Sequence, residues 1–78
     1  MKIQILGTGC PKCRQLAANA QAAVDAAGVD AVIEKVEKIA EIVDFGVMTT
    51  PALAIDGEVK SAGKLLSADQ IQELIQGA

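Results

Sequence analysis

Residues 2–6 alternate, with polar Lys2 and Gln4 between apolar Ile3 and Ile5, then turn fully apolar at Leu6 and stop at Gly7-Thr8-Gly9. A period of two ending in glycines predicts a first strand that runs into a loop. From Pro11 the period changes. Leu16, Ala17, Ala20, Val24 and Ala27 recur at helical spacing over 11–27, and Gly28 stands where a helix takes its left-handed closing residue. Alanine-rich composition raises the propensity of this helix, and its small side chains let it lie close on a sheet. Residues 30–36 centre on Ala31-Val32-Ile33 between charges and predict a second strand. A strand, a helix and a second strand in so short a span predict a right-handed parallel crossover. Ile39, Ile42 and Val43 predict a short second helix that stops at Phe45-Gly46, although no good capping residue precedes it.

Asp56-Gly57 separates Ala52-Leu53-Ala54-Ile55 from Glu58-Val59-Lys60-Ser61. That pair between two such runs predicts a two-residue hairpin. Its first strand is apolar on both faces and belongs in the sheet interior; its second alternates Val59 with charges and belongs at an edge. Ser67-Ala68-Asp69-Gln70 has the spacing of a capping box, and Leu66 with Ile71 fits the hydrophobic staple beside it, so a last helix runs to Gly77. The expected order is βαβαββα. A parallel pair and an antiparallel hairpin make an α/β domain over 1–78 with a four-stranded mixed sheet covered by three helices.

Composition changes this picture in two ways. Phe45 is the one aromatic residue, so the core is built from Ala, Val, Ile and Leu, and Phe45 is expected to fill it where a loop crosses. The net charge is −3 with no basic run, so the electrostatic footprint of nucleic-acid binding is missing. No stretch has the apolar length of a membrane span or of a signal-peptide core. The expectation is a cytoplasmic monomer that engages neither nucleic acid nor membrane.

The candidate chemistry lies in Cys10-Pro11-Lys12-Cys13, which holds both cysteines of the chain. A disulfide closing so small a ring is a poor staple, worth roughly 2 kcal/mol in the loop-entropy description. Chemistry is the better reason for the pair. Pro11 suits the first helical position, which places Cys10 at the N-cap, exposed, and Cys13 about one turn on. Unpaired N–H groups and the positive end of the helix macrodipole favour a thiolate there and lower the cysteine pKa from about 8.5. A dithiol/disulfide centre is the first reading. With no histidine in the chain, a Cys–His nucleophile pair is excluded.

These residues resemble the thioredoxin fold, and within it the small thioredoxin/glutaredoxin-like redox-active disulfide proteins of archaea and bacteria. The landmarks are Cys10-Pro11-Lys12-Cys13 after the first strand, Thr49-Thr50-Pro51 before the third, and Ser61-Ala62-Gly63 after the hairpin. The resemblance implies strand order 2-1-3-4 with the last strand antiparallel. It casts Cys10 as attacking thiolate and Cys13 as resolving thiol, with Gly9, Pro11 and Lys12 supporting them. It puts a cis proline at Pro51, and Thr50, Pro51 and Gly63 against the substrate. No cofactor is implied beyond the Cys10–Cys13 disulfide itself. The implied partners are protein disulfides and a thioredoxin reductase-type flavoenzyme as electron donor. Glutathione fits less well: glutaredoxins usually carry an aromatic where Lys12 stands and a Gly-Gly pair after the hairpin, where this chain has Gly63 and Lys64. A proton acceptor for the resolving thiol is not legible; Glu34 and Lys35 are the candidates, and with Glu37 and Lys38 they read equally as a solvated face.

Two other classes compete. A heavy-metal-binding domain also places Cys-x-x-Cys after its first strand, and thiolates suit Cu(I) or Zn(II), but its order βαββαβ ends in a strand. A partner-binding module without redox turnover is the other alternative.

Overall fold

The architecture is that of a computed structural model, which describes residues 1–77. In chain order it has β1 (Lys2–Leu6), α1 (Pro11–Ala27), β2 (Val32–Val36), α2 (Ile39–Asp44), β3 (Ala52–Ile55), β4 (Glu58–Ala62) and α3 (Ala68–Gly77). The four strands form one sheet ordered β2-β1-β3-β4. β1 runs parallel to β2, with Lys2 opposite Val32 and Leu6 opposite Val36. It runs antiparallel to β3, with Ile3 opposite Ile55 and Leu6 opposite Ala52. α2 stands between β2 and β3, where the βαββαβ order of a heavy-metal-binding domain has two consecutive strands.

The alternation in β1 divides the core between the two sheet faces. Ile3 and Ile5 join Leu53 and Ile55 of β3 beneath Leu16, Ala20 and Val24 of α1 and Ile71 and Ile75 of α3. Leu6 instead joins Val36, Ile42, Val47 and Ala52 under α2, with Phe45 and Val59 packed against them. So α1 and α3 cover one face and α2 the other. Ala20 and Ala23 are fully buried, and their lack of bulk brings α1 close to the sheet. Burying a leucine such as Leu16 contributes about 1.5–3 kcal/mol.

Local signals explain the element ends. Gly28 closes α1 in the left-handed region at φ 67°, its N–H donating to Val24 O at 3.0 Å. The capping box before α3 is complete: Gln70 N–H donates to Ser67 Oγ at 3.2 Å, and Ser67 N–H to Gln70 Oε1 at 2.9 Å. Leu66 and Ile71 are both buried beside it. By contrast α2 starts at Lys38 with no side-chain cap. In the hairpin, Asp56 and Gly57 both have positive φ, 52° and 85°, as a type I′ turn requires. The turn is tied to the start of β1, because Lys2 N–H donates to Asp56 Oδ1 at 2.8 Å and Asp56 N–H to Lys2 O at 2.7 Å. Buried Gln4 is satisfied there too, accepting from Gly57 N–H at 3.1 Å.

Two boundaries differ from the sequence reading. β2 begins at Val32, because its partner β1 begins at Lys2 and offers the residues before Val32 no ladder. β4 extends to Ala62 and carries a bulge: Ala54 faces Val59 while Leu53 faces Ser61, leaving Lys60 as the extra residue. With Glu58 and Lys60 joined at 3.2 Å on the outer edge, bulge and charges together discourage further strand pairing.

Candidate active site

The first turn of α1 sets the sulfur chemistry. Cys10 is the N-cap, with extended φ −66° and ψ 163°, and Pro11 occupies the first turn. Arg14 N–H donates to Cys10 O at 3.0 Å, the first helical bond, and Cys13 N–H donates to Cys10 Sγ at 3.3 Å. A thiolate is the better acceptor for that N–H. Both cysteines are free thiols, Cys10 half-buried and Cys13 buried. Their acidities diverge. The Cys13 thiol and its backbone N–H both donate to Cys10, holding its pKa below the ordinary value against a smaller effect of desolvation. Burial, and next its hydrogen bond to Cys10, push the Cys13 thiol up. One sulfur is made ready to ionise and the other is kept protonated.

The loop before β3 comes close to the buried member of this pair. The Thr50–Pro51 peptide is cis, and Pro51 is buried while Thr49 and Thr50 are exposed. A β-carbon on Gly7 would lie 2.3 Å from Cys13 Sγ and 4.0 Å from Thr50 Cβ, which puts Thr50 beside the buried sulfur. Gly63 N–H donates to Pro51 O at 2.9 Å, and Gly63 packs against Thr49 so tightly that a β-carbon there would meet Thr49 Oγ1 at 2.9 Å. Gly63 therefore shapes the proline loop from behind. Gly9, Pro11 and Lys12 are all exposed around Cys10. Lys12 lies on the first turn of α1.

Two features beside the thiols were not read from the sequence. A cleft of about 210 Å³ reaches Cys13 past Gly7 and Gly9, with Arg14, Lys35 and Glu37 around it. Only the parallel register of β1 and β2 brings these distant residues together; Lys35, for instance, lies opposite Ile5. Between Thr8 and Thr50 lies an apolar hollow formed by Ile39, Val43, Val47 and Met48. Ile39, Val43 and Met48 are 69%, 59% and 94% exposed, too much apolar surface for packing alone to explain. Helical spacing in the sequence marked Ile39 and Val43 but gave no sign that α2 would turn them outward. Among the described residues no group of three His, Cys, Asp or Glu side chains is placed to hold a metal ion. No helix among them is long and apolar enough to cross a membrane.

A helix-capping thiol, a buried second thiol one turn on and a cis proline loop beside the buried one define a dithiol–disulfide exchange protein on an α/β sheet. Comparison with known proteins agrees. The chain belongs to the thioredoxin domain family, whose family model matches residues 1–76. It is 43% identical over 75 residues to a thioredoxin of Methanothermobacter thermautotrophicus, covering 96% of this chain and 97% of that protein. It is 44% identical over 71 residues to a thioredoxin of Methanocaldococcus jannaschii, covering 91% of this chain and 81% of that one. The chain is a thiol–disulfide oxidoreductase.

Proposed function

We propose that the chain reduces protein disulfides through Cys10-Pro11-Lys12-Cys13, with Cys10 as attacking thiolate and Cys13 as resolving thiol. The observation that carries this reading is the asymmetry of the pair: Cys10 accepts hydrogen bonds at a helix start and is partly open to solvent, and Cys13 is buried with its pKa raised. Cys10 thiolate attacks one sulfur of the substrate disulfide, forming a mixed disulfide and releasing the other sulfur as thiolate. Cys13 then attacks Cys10 Sγ, the Cys10–substrate bond breaks, and the second substrate sulfur departs. The dithiol has lost two electrons and the substrate has gained them.

The lowered pKa serves regeneration of the dithiol more than attack on the substrate. Nucleophilicity falls with pKa at a Brønsted slope of about 0.4–0.5, which returns much of what a larger thiolate fraction contributes to attack. A low-pKa Cys10 is also a better leaving group when a reductant or a thiolate regenerates the dithiol. The substrate segment lies extended along the backbone at Thr50 and Pro51, with Gly63 behind that loop, and its apolar side chains rest in the hollow beside α2. Gly9 and Pro11 shape the turn that presents Cys10, and the Lys12 ammonium adds a weak, solvent-screened field. A thioredoxin reductase-type flavoenzyme is the proposed electron donor in preference to glutathione, with a monomer working in the cytoplasm. The redox-active group is the Cys10–Cys13 pair, and no other cofactor enters the reading.

Insulin reduction followed by turbidity tests this, with dithiothreitol first, then with a thioredoxin reductase plus NADPH and with glutathione in parallel. The wild type should accelerate precipitation over dithiothreitol alone, Cys10→Ser should not, and Cys13→Ser should accumulate mixed disulfide. No acceleration by the wild type would make the chain a binding module, and an active Cys10→Ser would move the attacking role elsewhere.

A further inference from the structure

One edge of the sheet is blunted and the other is not. β4 has its bulge and the Glu58–Lys60 pair, whereas β2 follows β1 over five residues in unbroken register. Val32 N–H donates to Met1 O at 3.0 Å, and Val36 O accepts from Gly7 N–H at 2.9 Å. A parallel ladder alternates, so the main-chain groups of Lys35, between these two inward-facing positions, point away from β1. Glu37 makes no main-chain hydrogen bond among the described residues, and the backbone stays extended as far as Lys38, at φ −80° and ψ 129°. An edge of this kind is a template for another strand.

The side chains select which strand. Glu34, Lys35, Glu37 and Lys38 are all exposed, and among the described residues only Glu34 has an ion-pair partner, Lys2 at 3.5 Å. Charges on an edge ordinarily repel a second strand, but this order attracts its own copy. With a second β2 running the other way and Val36 opposite Val36, Glu34 meets Lys38 and Lys35 meets Glu37, each twice by symmetry. Moving the second copy by two residues either way sets Lys35 opposite Lys35 or Glu37 opposite Glu37, so like charges reject the neighbouring registers. The face toward α2 adds a socket. A hollow of about 380 Å³ there holds three carboxylates, Glu34, Glu41 and Asp44, against the single cation Lys35. The Lys38 ammonium of a second copy, opposite Glu34, would enter among them.

We infer that the β2 edge pairs antiparallel with β2 of a second copy of this chain, Val36 on the twofold axis, giving a reversible homodimer with one continuous sheet. Lys35 of each copy and Glu37 of the other then exchange main-chain hydrogen bonds as well as charge. A single strand on each side makes a small interface of the weak, transient kind, so the monomer proposed above is the form present in dilute solution. The blunted β4 edge stops association at the pair. Lys35 and Glu37 also line the cleft that reaches Cys13, so pairing covers the outer rim of that cleft. The inference holds whichever sulfur attacks.

Sedimentation velocity of the reduced protein from about 1 μM to about 1 mM reads the association. The wild type should pass from monomer to dimer within that range. Raising salt from about 0.1 M to about 1 M shortens the screening length from about 10 Å to about 3 Å and should weaken the dimer by about tenfold. Lys35→Glu with Lys38→Glu makes the edge wholly acidic, and Glu34→Lys with Glu37→Lys makes it wholly basic. Each double variant alone should stay monomeric, and an equimolar mixture should recover a heterodimer, because every cross-strand pair is again opposite in sign. Single Lys38→Glu should weaken the dimer by about tenfold, and it decides the matter if circular dichroism shows either double variant unfolded. Ile39→Ser with Val43→Ser, on the exposed apolar surface of α2, should associate as the wild type does. A wild type still monomeric at about 1 mM overturns the proposal. So does a dimer that persists in a folded double variant, a mixture that stays monomeric, an unweakened Lys38→Glu, or a dimer lost with Ile39 and Val43.

Discussion

Alanine at Gly7 is the change that asks most of the site for the fewest atoms. Gly7 follows β1, and its N–H donates to Val36 O at 2.9 Å. Its β-carbon would stand 2.3 Å from Cys13 Sγ and 3.1 Å from Cys13 Cβ. Non-bonded heavy atoms are at their optimum about 3.5–4.0 Å apart, so the sulfur is roughly 1.2 Å too close even at the near end of that range. Cys13 is held by a short side chain on a packed helix, so rotation of one torsion or a shift of the first turn of α1 must absorb the difference. Overpacking of this kind costs about 1–3 kcal/mol. Alanine returns about 0.4–1 kcal/mol by restricting the unfolded chain. The net loss is centred on about 1.3 kcal/mol, which for a chain this short lowers the melting temperature by roughly 5–10 °C. The functional effect is larger, because a displacement near 1 Å in a reacting atom can slow a step by about 100-fold. Calorimetry of the reduced protein reads the first effect. Stopped-flow reaction with 5,5′-dithiobis(2-nitrobenzoate) reads the other, since the second nitrothiobenzoate release reports resolution by Cys13. Gly77→Ala is the control, since nothing lies within 4 Å of a β-carbon there and it should not lower the melting temperature. Reduced Gly7→Ala melting within about 2 °C of wild type and resolving at the wild-type rate would refute the close approach of Gly7 to Cys13.

The acidity difference between the sulfurs is open to alkylation with iodoacetamide across pH. Carbamidomethylation at Cys10 should have its midpoint below the value of about 8.5 for free cysteine, and the remaining thiol of Cys10→Ser should titrate above it. A Cys10 midpoint at or above free cysteine would contradict the hydrogen bonds drawn to its sulfur. The linkage has a sign as well. With its folded pKa lowered, Cys10 stabilises the reduced fold as pH rises towards the ordinary cysteine value, and that increment is lost as pH falls through the folded pKa. Cys13, with its folded pKa raised, takes stability away as pH rises beyond the ordinary value. Ser67→Ala removes the cap that accepts from Gln70 N–H and should cost about 1 kcal/mol, or roughly 4–8 °C in melting temperature. An unchanged melting temperature would mean that α3 is held by Ile71 and Ile75 alone.

Much of this protein is legible where one local rule acts without competition. Pro11 at the start and Gly28 at the end bound α1 to the residue, and Ser67 with Gln70 does the same for the entry to α3. Asp56-Gly57 names its own turn. The two thiols were legible as a pair, because Cys10 and Cys13 need only one helical turn to meet. What lay hidden depends on pieces far apart in the chain. Glu34, Lys35, Glu37 and Lys38 read as one solvated face, and all four are exposed. Yet the pairing of β2 with β1 carries Lys35, and Glu37 just beyond it, to the cleft that reaches Cys13, and no period within 34–38 marks them out. Lys60 alternates properly with Val59, and its bulge follows from how β4 meets β3, which the sequence of β4 does not encode. Ile39 and Val43 are spaced for packing, but β1 commits Ile3 and Ile5 to the α1 face and only Leu6 to the other. A helix of six residues finds so little sheet beneath it that Ile42 is its one buried side chain.

That unequal division has a consequence for how such a protein diversifies. The sulfurs ride on the helix anchored in the deep aliphatic cluster, whereas the exposed ridge at Ile39 and Val43 stands over the shallow one. New side chains on the ridge can change the exposed surface beside Thr50 while the anchorage of the sulfur-bearing helix stays as it is.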